Sequence, residues 1–150
     1  MIGAQQAKWV SITPPGAIID NASATTASID TLGWDYLEVI CYFGAMDIAA
    51  TALKMQSSDT DSNYADVTGL IWGTSANIAG STSTLPSATD DNKLFIFQID
   101  LRGQKRYFDL VATLGDGAAG TYFTAFGRLS RGKDGPITAA DQGAAEILRI

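Results

Sequence analysis

This sequence has no histidine and only one cysteine in 150 residues. Without histidine the commonest general base and metal ligand are missing, and neither a Ser-His-Asp triad nor a Cys-His pair can be built. A lone cysteine, Cys41, permits no internal disulfide and no zinc cluster. It lies inside an apolar run, where it reads as a small buried hydrophobe rather than a reactive thiol. The lack of disulfides suits synthesis in a reducing compartment. Long apolar runs are missing too: no stretch approaches the roughly 18 residues that span a bilayer. The opening MIGAQQAKWVSITPP has no apolar signal-peptide core. A soluble protein without membrane contact is expected.

Charge is scarce, at 17% of residues, and the net charge is −6. It is unevenly spread. Residues 1–92 carry ten acids and two bases, a balance of −8, whereas residues 93–150 carry eight bases and six acids, a balance of +2. An acidic total argues against a nucleic-acid binder, whose affinity rests on clustered Lys and Arg.

The remaining chemistry is thin. A two-carboxylate hydrolase needs a converging pair of acids, but most acids here fall at turns or on the outward phase of strands. Asp59-Thr60-Asp61-Ser62-Asn63 imitates the start of a calcium loop. The EF-hand pattern then requires Gly at its sixth position and Glu at its twelfth, where this chain has Tyr64 and Leu70. A turn rich in Asp and Ser accounts for the segment without a metal. Gly115-Asp116-Gly117 and Ala118-Ala119-Gly120 lack the Lys-Ser/Thr and the helix of a phosphate cradle, and read as a hairpin turn. No catalytic, cofactor-binding or metal-binding residue is assigned, and a non-enzymatic protein is expected.

What the chain does have is strand signals every ten to fifteen residues, separated by Gly, Pro, Asp, Ser and Thr. Lys8–Ile12 is a short first strand stopped by Pro14-Pro15-Gly16. Ala17–Ile19 and Thr25–Thr31 follow. Trp34–Phe43 is the strongest signal: both its alternating sets are largely apolar, which predicts a central strand covered on both sides and ended by Gly44. Ala50–Ser57, Tyr64–Val67 and Leu70–Trp72 continue the series. Gly73–Asn92, small and polar, reads as a long surface loop ordered against a partner. Leu94–Leu101, Lys105–Leu114 and Thr121–Arg131 are three further strands, each with one apolar face. Gly132–Gly143 reads as a tail, and Ala144–Ile150 as a short strand or a helical turn.

These signals predict one all-β domain over residues 1–150, a single antiparallel β-sandwich. It is jelly-roll-like, with an immunoglobulin-like topology as the second choice. Residues 1–15 would form an extended N-terminal arm and 132–150 a C-terminal tail. In a meander of the last three strands, the bases Arg102, Lys105, Arg106, Arg128, Arg131 and Lys133 would line one edge. Such a basic rim on an acidic protein suits docking to an acidic partner surface. Ordinary charged strand ends explain the same residues equally well.

Three stretches carry a family likeness: ATTASIDTLGWDYLEVICYFGAMDIAATALKMQSSDTDSNYADVTG (24–69), LPSATDDNKLFIFQIDLRGQKRYFDLVATLGDG (85–117) and TYFTAFGRLSR (121–131). The arrangement resembles small β-proteins encoded among the head genes of tailed bacteriophages and prophages, over about two-thirds of the chain. The resemblance implies a capsid decoration, or cement, protein. Such a protein binds the outer capsid surface of the virion, commonly as a trimer, and bridges major capsid protein subunits after synthesis in the host cytoplasm. Met1–Pro15, Gly73–Asn92 and Arg131–Ile150, too polar or too irregular to belong to one core, are where inter-subunit contacts are expected. Two other roles fit the residues: a tail, head-completion or fibre-base module of a virion, and a carbohydrate-binding sandwich stacking sugars on Trp9, Trp34 or Trp72.

Overall fold

A period of two governs this chain, so each alternating stretch becomes a strand with one face on a shared core. The computed structural model describes residues 6–133 and 138–148. Among them eight strands form: β1 (Ala7–Thr13), β2 (Ile29–Asp30), β3 (Tyr36–Met46), β4 (Ala52–Ser58), β5 (Ala65–Ile71), β6 (Leu94–Asp100), β7 (Tyr107–Thr113) and β8 (Thr121–Ser130). No α-helix occurs among the described residues. The strands make two antiparallel sheets, ordered β1-β8-β3-β6 and β2-β7-β4-β5. This is the β-sandwich that the sequence predicts. Every connection except β4–β5 crosses from one sheet to the other.

The core lies between the sheets. Leu37, Val39, Cys41 and Phe43 from β3 meet Leu53 and Met55 from β4 and Phe108 and Leu110 from β7, all buried to within 1% exposure. Phe43 is the hinge of its aromatic part, with Phe123 at 5.0 Å and Phe95 edge-on at 5.4 Å between ring centroids. Burial raises the Cys41 thiol well above its ordinary pKa, so the side chain behaves as the inert hydrophobe the sequence suggests.

Several sequence expectations are corrected. β3 is central, between β8 and β6, but only one of its faces is covered; Tyr42 on the other is 41% exposed. The strand also continues past Gly44 to Met46, through a register shift after Phe43. Gly44 is needed there because an added Cβ would lie 2.9 Å from Tyr122 Cβ. Tyr64–Val67 and Leu70–Trp72 belong to one strand, β5. It reads as two because Gly69, at φ +92°, lets it shift register against β4.

Ala17–Ile19 contributes one bridge, Ile19 to Thr121, and Thr25–Thr31 only the two-residue β2. In Thr25–Thr31 polar side chains take up hydrogen bonds instead of extending a ladder, as Thr26 does in donating to Asp109. The meander is also wrong: β6 and β8 share a sheet on either side of β3, and β7 lies in the other sheet.

Both flanking regions are tied down where they are described. Residues 7–13 of the expected arm are β1, paired along β8. Trp9 N–H donates to Gln142 C=O at 2.7 Å, which seats the tail on the outer edge of β1. Residues 144–148 form neither strand nor helix; 1–5, 134–137, 149 and 150 lie outside the described residues. Loop 73–92 carries hydrogen bonds of its own. Ser83 and Ser75 pair through main chain and hydroxyl, and Asn77 Oδ1 accepts from the Ala79 and Ser81 N–H groups.

Candidate docking surface

The side of the β1-β8-β3-β6 sheet that faces away from the core is built from outward residues of four strands in register. Ser11, Phe126, Ile40 and Ile96 form one row across it. Thr124, Tyr42 and Leu94 form the next row, and Trp9, Arg128, Glu38 and Gln98 flank the first on its other side. Rows two residues apart on one face are in side-chain contact range. The result is a largely apolar and aromatic surface with a polar row along one side. Leu94 is 55% exposed, Tyr122 49%, Ile96 42%, Trp9 41% and Phe126 37%. Trp9 and Phe126 meet at 5.9 Å between centroids. The one ion pair set into it, Arg128 to Glu38 at 2.8 Å, is half-buried, and the same guanidinium lies over Trp9.

A soluble β-sheet normally turns polar residues outward. Contiguous exposed apolar side chains on such a face make it a candidate binding surface. The sequence carried the signal for it in the doubly apolar β3, where it reads as burial on both sides.

The six predicted rim bases divide into two groups. Tyr36 is paired with both Asp100 and Ser130, so β6 and β8 finish at the same end of the sandwich, where β7 also begins. Arg102 and Arg131 come together there, 5.9 and 5.5 Å from the Tyr36 ring centroid. Lys133 is anchored nearby by its N–H to Gly33 C=O, and Lys105 and Arg106 lie in the turn into β7. Arg128 is apart from them, out on the sheet face.

Three of the six are neutralised: Arg102 by Asp100, Arg106 by Asp30 and Arg128 by Glu38. The guanidinium of Arg102 pulls the Asp100 carboxyl down to about 2, and that of Arg106 holds Asp30 below the usual carboxylate range. Among the described residues Lys105, Arg131 and Lys133 make no ion pair. The free positive charge of this end is therefore smaller than the sequence suggests.

The other candidate groups are spent on structure. Asp61 is engaged by Tyr64 and Ser28, which lower its pKa, while burial and the same carboxylate push Tyr64 up to about 12. Asp47, pointing at the Gly115–Gly120 turn, accepts from the Ala119 and Gly120 N–H groups. Among the described residues no three His, Cys, Asp or Glu side chains gather as a metal site. Among the described residues no helix is long and apolar enough to cross a membrane.

No protein-family model, curated protein or solved structure matches this chain. The likeness to phage head proteins therefore stands on the motif residues alone.

Proposed function

We propose that this chain is a non-enzymatic structural protein of a tailed-phage virion, a decoration or cement protein on the outside of the head. In that reading it contacts major capsid protein subunits and bridges neighbours, with no cofactor, nucleic acid or membrane involved. The carrying observation is the exposed apolar face of Trp9, Ile40, Tyr42, Leu94, Ile96, Tyr122 and Phe126, which nothing in the chain itself covers among the described residues. The Arg102/Arg131 end offers a charged margin beside it, suited to orientation rather than to most of the affinity. An oligomer engaging several capsid subunits at once would gain avidity beyond any one contact.

The strand order supports a jelly-roll wrapping over an immunoglobulin-like one. An immunoglobulin-like sandwich keeps several consecutive strands in one sheet, whereas here only β4 and β5 stay together.

Co-sedimentation with phage heads, alongside the mass of the free protein in solution, tests the proposal. Saturable binding at hundreds of copies per head, as an order of magnitude set by bridging every capsomer, supports decoration. Binding at a few copies indicates a connector or tail module, and a monomer that ignores heads defeats the reading. One observation favours a glycan-binding alternative: Trp9 presents an exposed ring on the open face. Tryptophan fluorescence that responds to glycans but not to heads would select it.

A further inference from the structure

The sandwich has four edge strands, and three of them are blunted. β1 shifts register between Ser11 and Thr13 and has the tail on its edge through Trp9 N–H and Gln142 C=O. β2 is two residues long, and β5 is broken by Gly69 at φ +92°. Bulges, short length, charge and covering segments are the devices by which sheet edges avoid further pairing.

β6 has none of them. It pairs with β3 in unbroken register from Leu94 to Asp100, and Leu94–Ile99 contains no charge, proline or glycine. The direction of its main-chain groups follows from the ladder. Phe43 N–H donates to Lys93 C=O at one end and Leu101 N–H to Asp35 C=O at the other. Residues 93, 95, 97, 99 and 101 therefore bond toward β3, and Leu94, Ile96 and Gln98 turn N–H and C=O to the free edge. No hydrogen bond among the described residues reaches those groups. Beside the edge lies a cleft of about 440 Å³ between Ile96, Phe97 and Gln98 on one side and Leu70, Trp72 and Ile78 on the other. Its lining is uncharged, and Ile78 is fully exposed.

We infer that the β6 edge is a two-fold contact with a second copy of this chain, in which two β6 strands pair antiparallel and join two four-stranded sheets into one. The strand is self-complementary in the one respect such a contact requires. Centred on Ile96, the pairing places Ile96 opposite Ile96 of the second copy and Leu94 opposite Gln98. All are outward-facing, and all have their free N–H and C=O on the shared edge. No charge then falls opposite a like charge, although the chain as a whole is acidic. The contact uses the edge of the sheet and leaves the centre of its outer face available, so it does not depend on the capsid reading.

Cysteine cross-linking of the full chain tests it. Facing residues of a hydrogen-bonded antiparallel pair have Cα atoms about 5.5 Å apart, within the disulfide range, and the native Cys41 is buried. Ile96→Cys treated with oxidised glutathione is expected to run as a covalent dimer in most chains on a non-reducing gel. Thr124→Cys, on the same face but off the edge, is expected to stay single. Sedimentation equilibrium of Ile96→Lys, a substitution at an exposed position, is expected to give half the wild-type mass at the same concentration. Equal cross-linking of the two cysteine variants overturns the inference, as does an unchanged mass for Ile96→Lys.

Discussion

The two outer faces of this sandwich are built by the same alternation and finished in opposite ways. Over β4, β5 and β7 the outward side chains satisfy one another: Lys54 Nζ and Gln56 Nε2 both bond Asp66 at 2.7 Å, Thr26 donates to Asp109, and Ser23 pairs with Thr113. Over β3, β6 and β8 the same positions hold Ile40, Tyr42, Leu94, Ile96, Tyr122 and Phe126, with a single ion pair among them. A face whose polar groups bond one another is content with water. A face of aliphatic and aromatic groups gains free energy only when something covers it. The difference is what the proposed docking role rests on.

Both faces rest on one core, so damage there should ignore the distinction and be largest. Phe43→Ala removes a fully buried ring that packs on Phe95 and Phe123. It is expected to cost about 3–5 kcal/mol, read as a shift of the urea midpoint at constant m-value. Phe126→Glu separates the faces. At 37% exposure it should change folding stability by less than about 1 kcal/mol. If the apolar face docks the head, it should weaken co-sedimentation at least about tenfold, near 1.4 kcal/mol. Gln56→Glu on the opposite face should leave co-sedimentation unchanged.

A smaller effect of opposite sign is expected under the apolar face. Gly127 points into the core in the middle of β8, with ordinary contact room of 3.5–3.6 Å to Leu37, Ile12 and Ile29. Gly127→Ala should stabilise by about 0.4–1 kcal/mol by restricting the unfolded chain, seen as a raised midpoint.

Smallest per group is the response to acid. Asp30, held by Arg106, and Asp66, held by Lys54 and Gln56, both ionise below the ordinary carboxylate value of 3.8. The unfolded chain therefore binds their protons first as pH falls. Their contribution is fully present above about pH 4 to 5 and is lost as pH drops through the folded-state values. A urea midpoint that is flat from pH 7 to 5 and declines below pH 4 is the expected profile.

The strands that read most clearly in the sequence are those with one apolar face and strong β-formers. Leu94–Leu101, Lys105–Leu114 and Thr121–Arg131 each became a strand within a few residues of the expected bounds. Thr25–Thr31 failed because Thr, Ser and Ala carry too little apolar area to commit a segment to a ladder, and Ala17–Ile19, directly after Pro14-Pro15-Gly16, makes only the Ile19–Thr121 bridge. The rim was half legible. Apart from Arg128, the bases gather at one end because antiparallel strands return there; of the three acids that pair with rim bases, only Asp100 is a sequence neighbour of its base. Two of those partners lie 76 and 90 residues away in sequence, and no local pattern reports them.

Composition alone removed histidine chemistry, disulfides and membrane-spanning helices from consideration, and period-two alternation alone required an antiparallel β-sandwich. Both are local properties, carried by residue type and by neighbours two positions apart. Only the tertiary structure decided that, among the described residues, the second apolar side of β3 lies open, β6 is the one unblunted edge, and half of the rim bases are already paired. Each of those depends on which strand lies beside which. Strand order is set by packing among residues far apart in the chain, and six crossings between sheets separate what sequence places side by side.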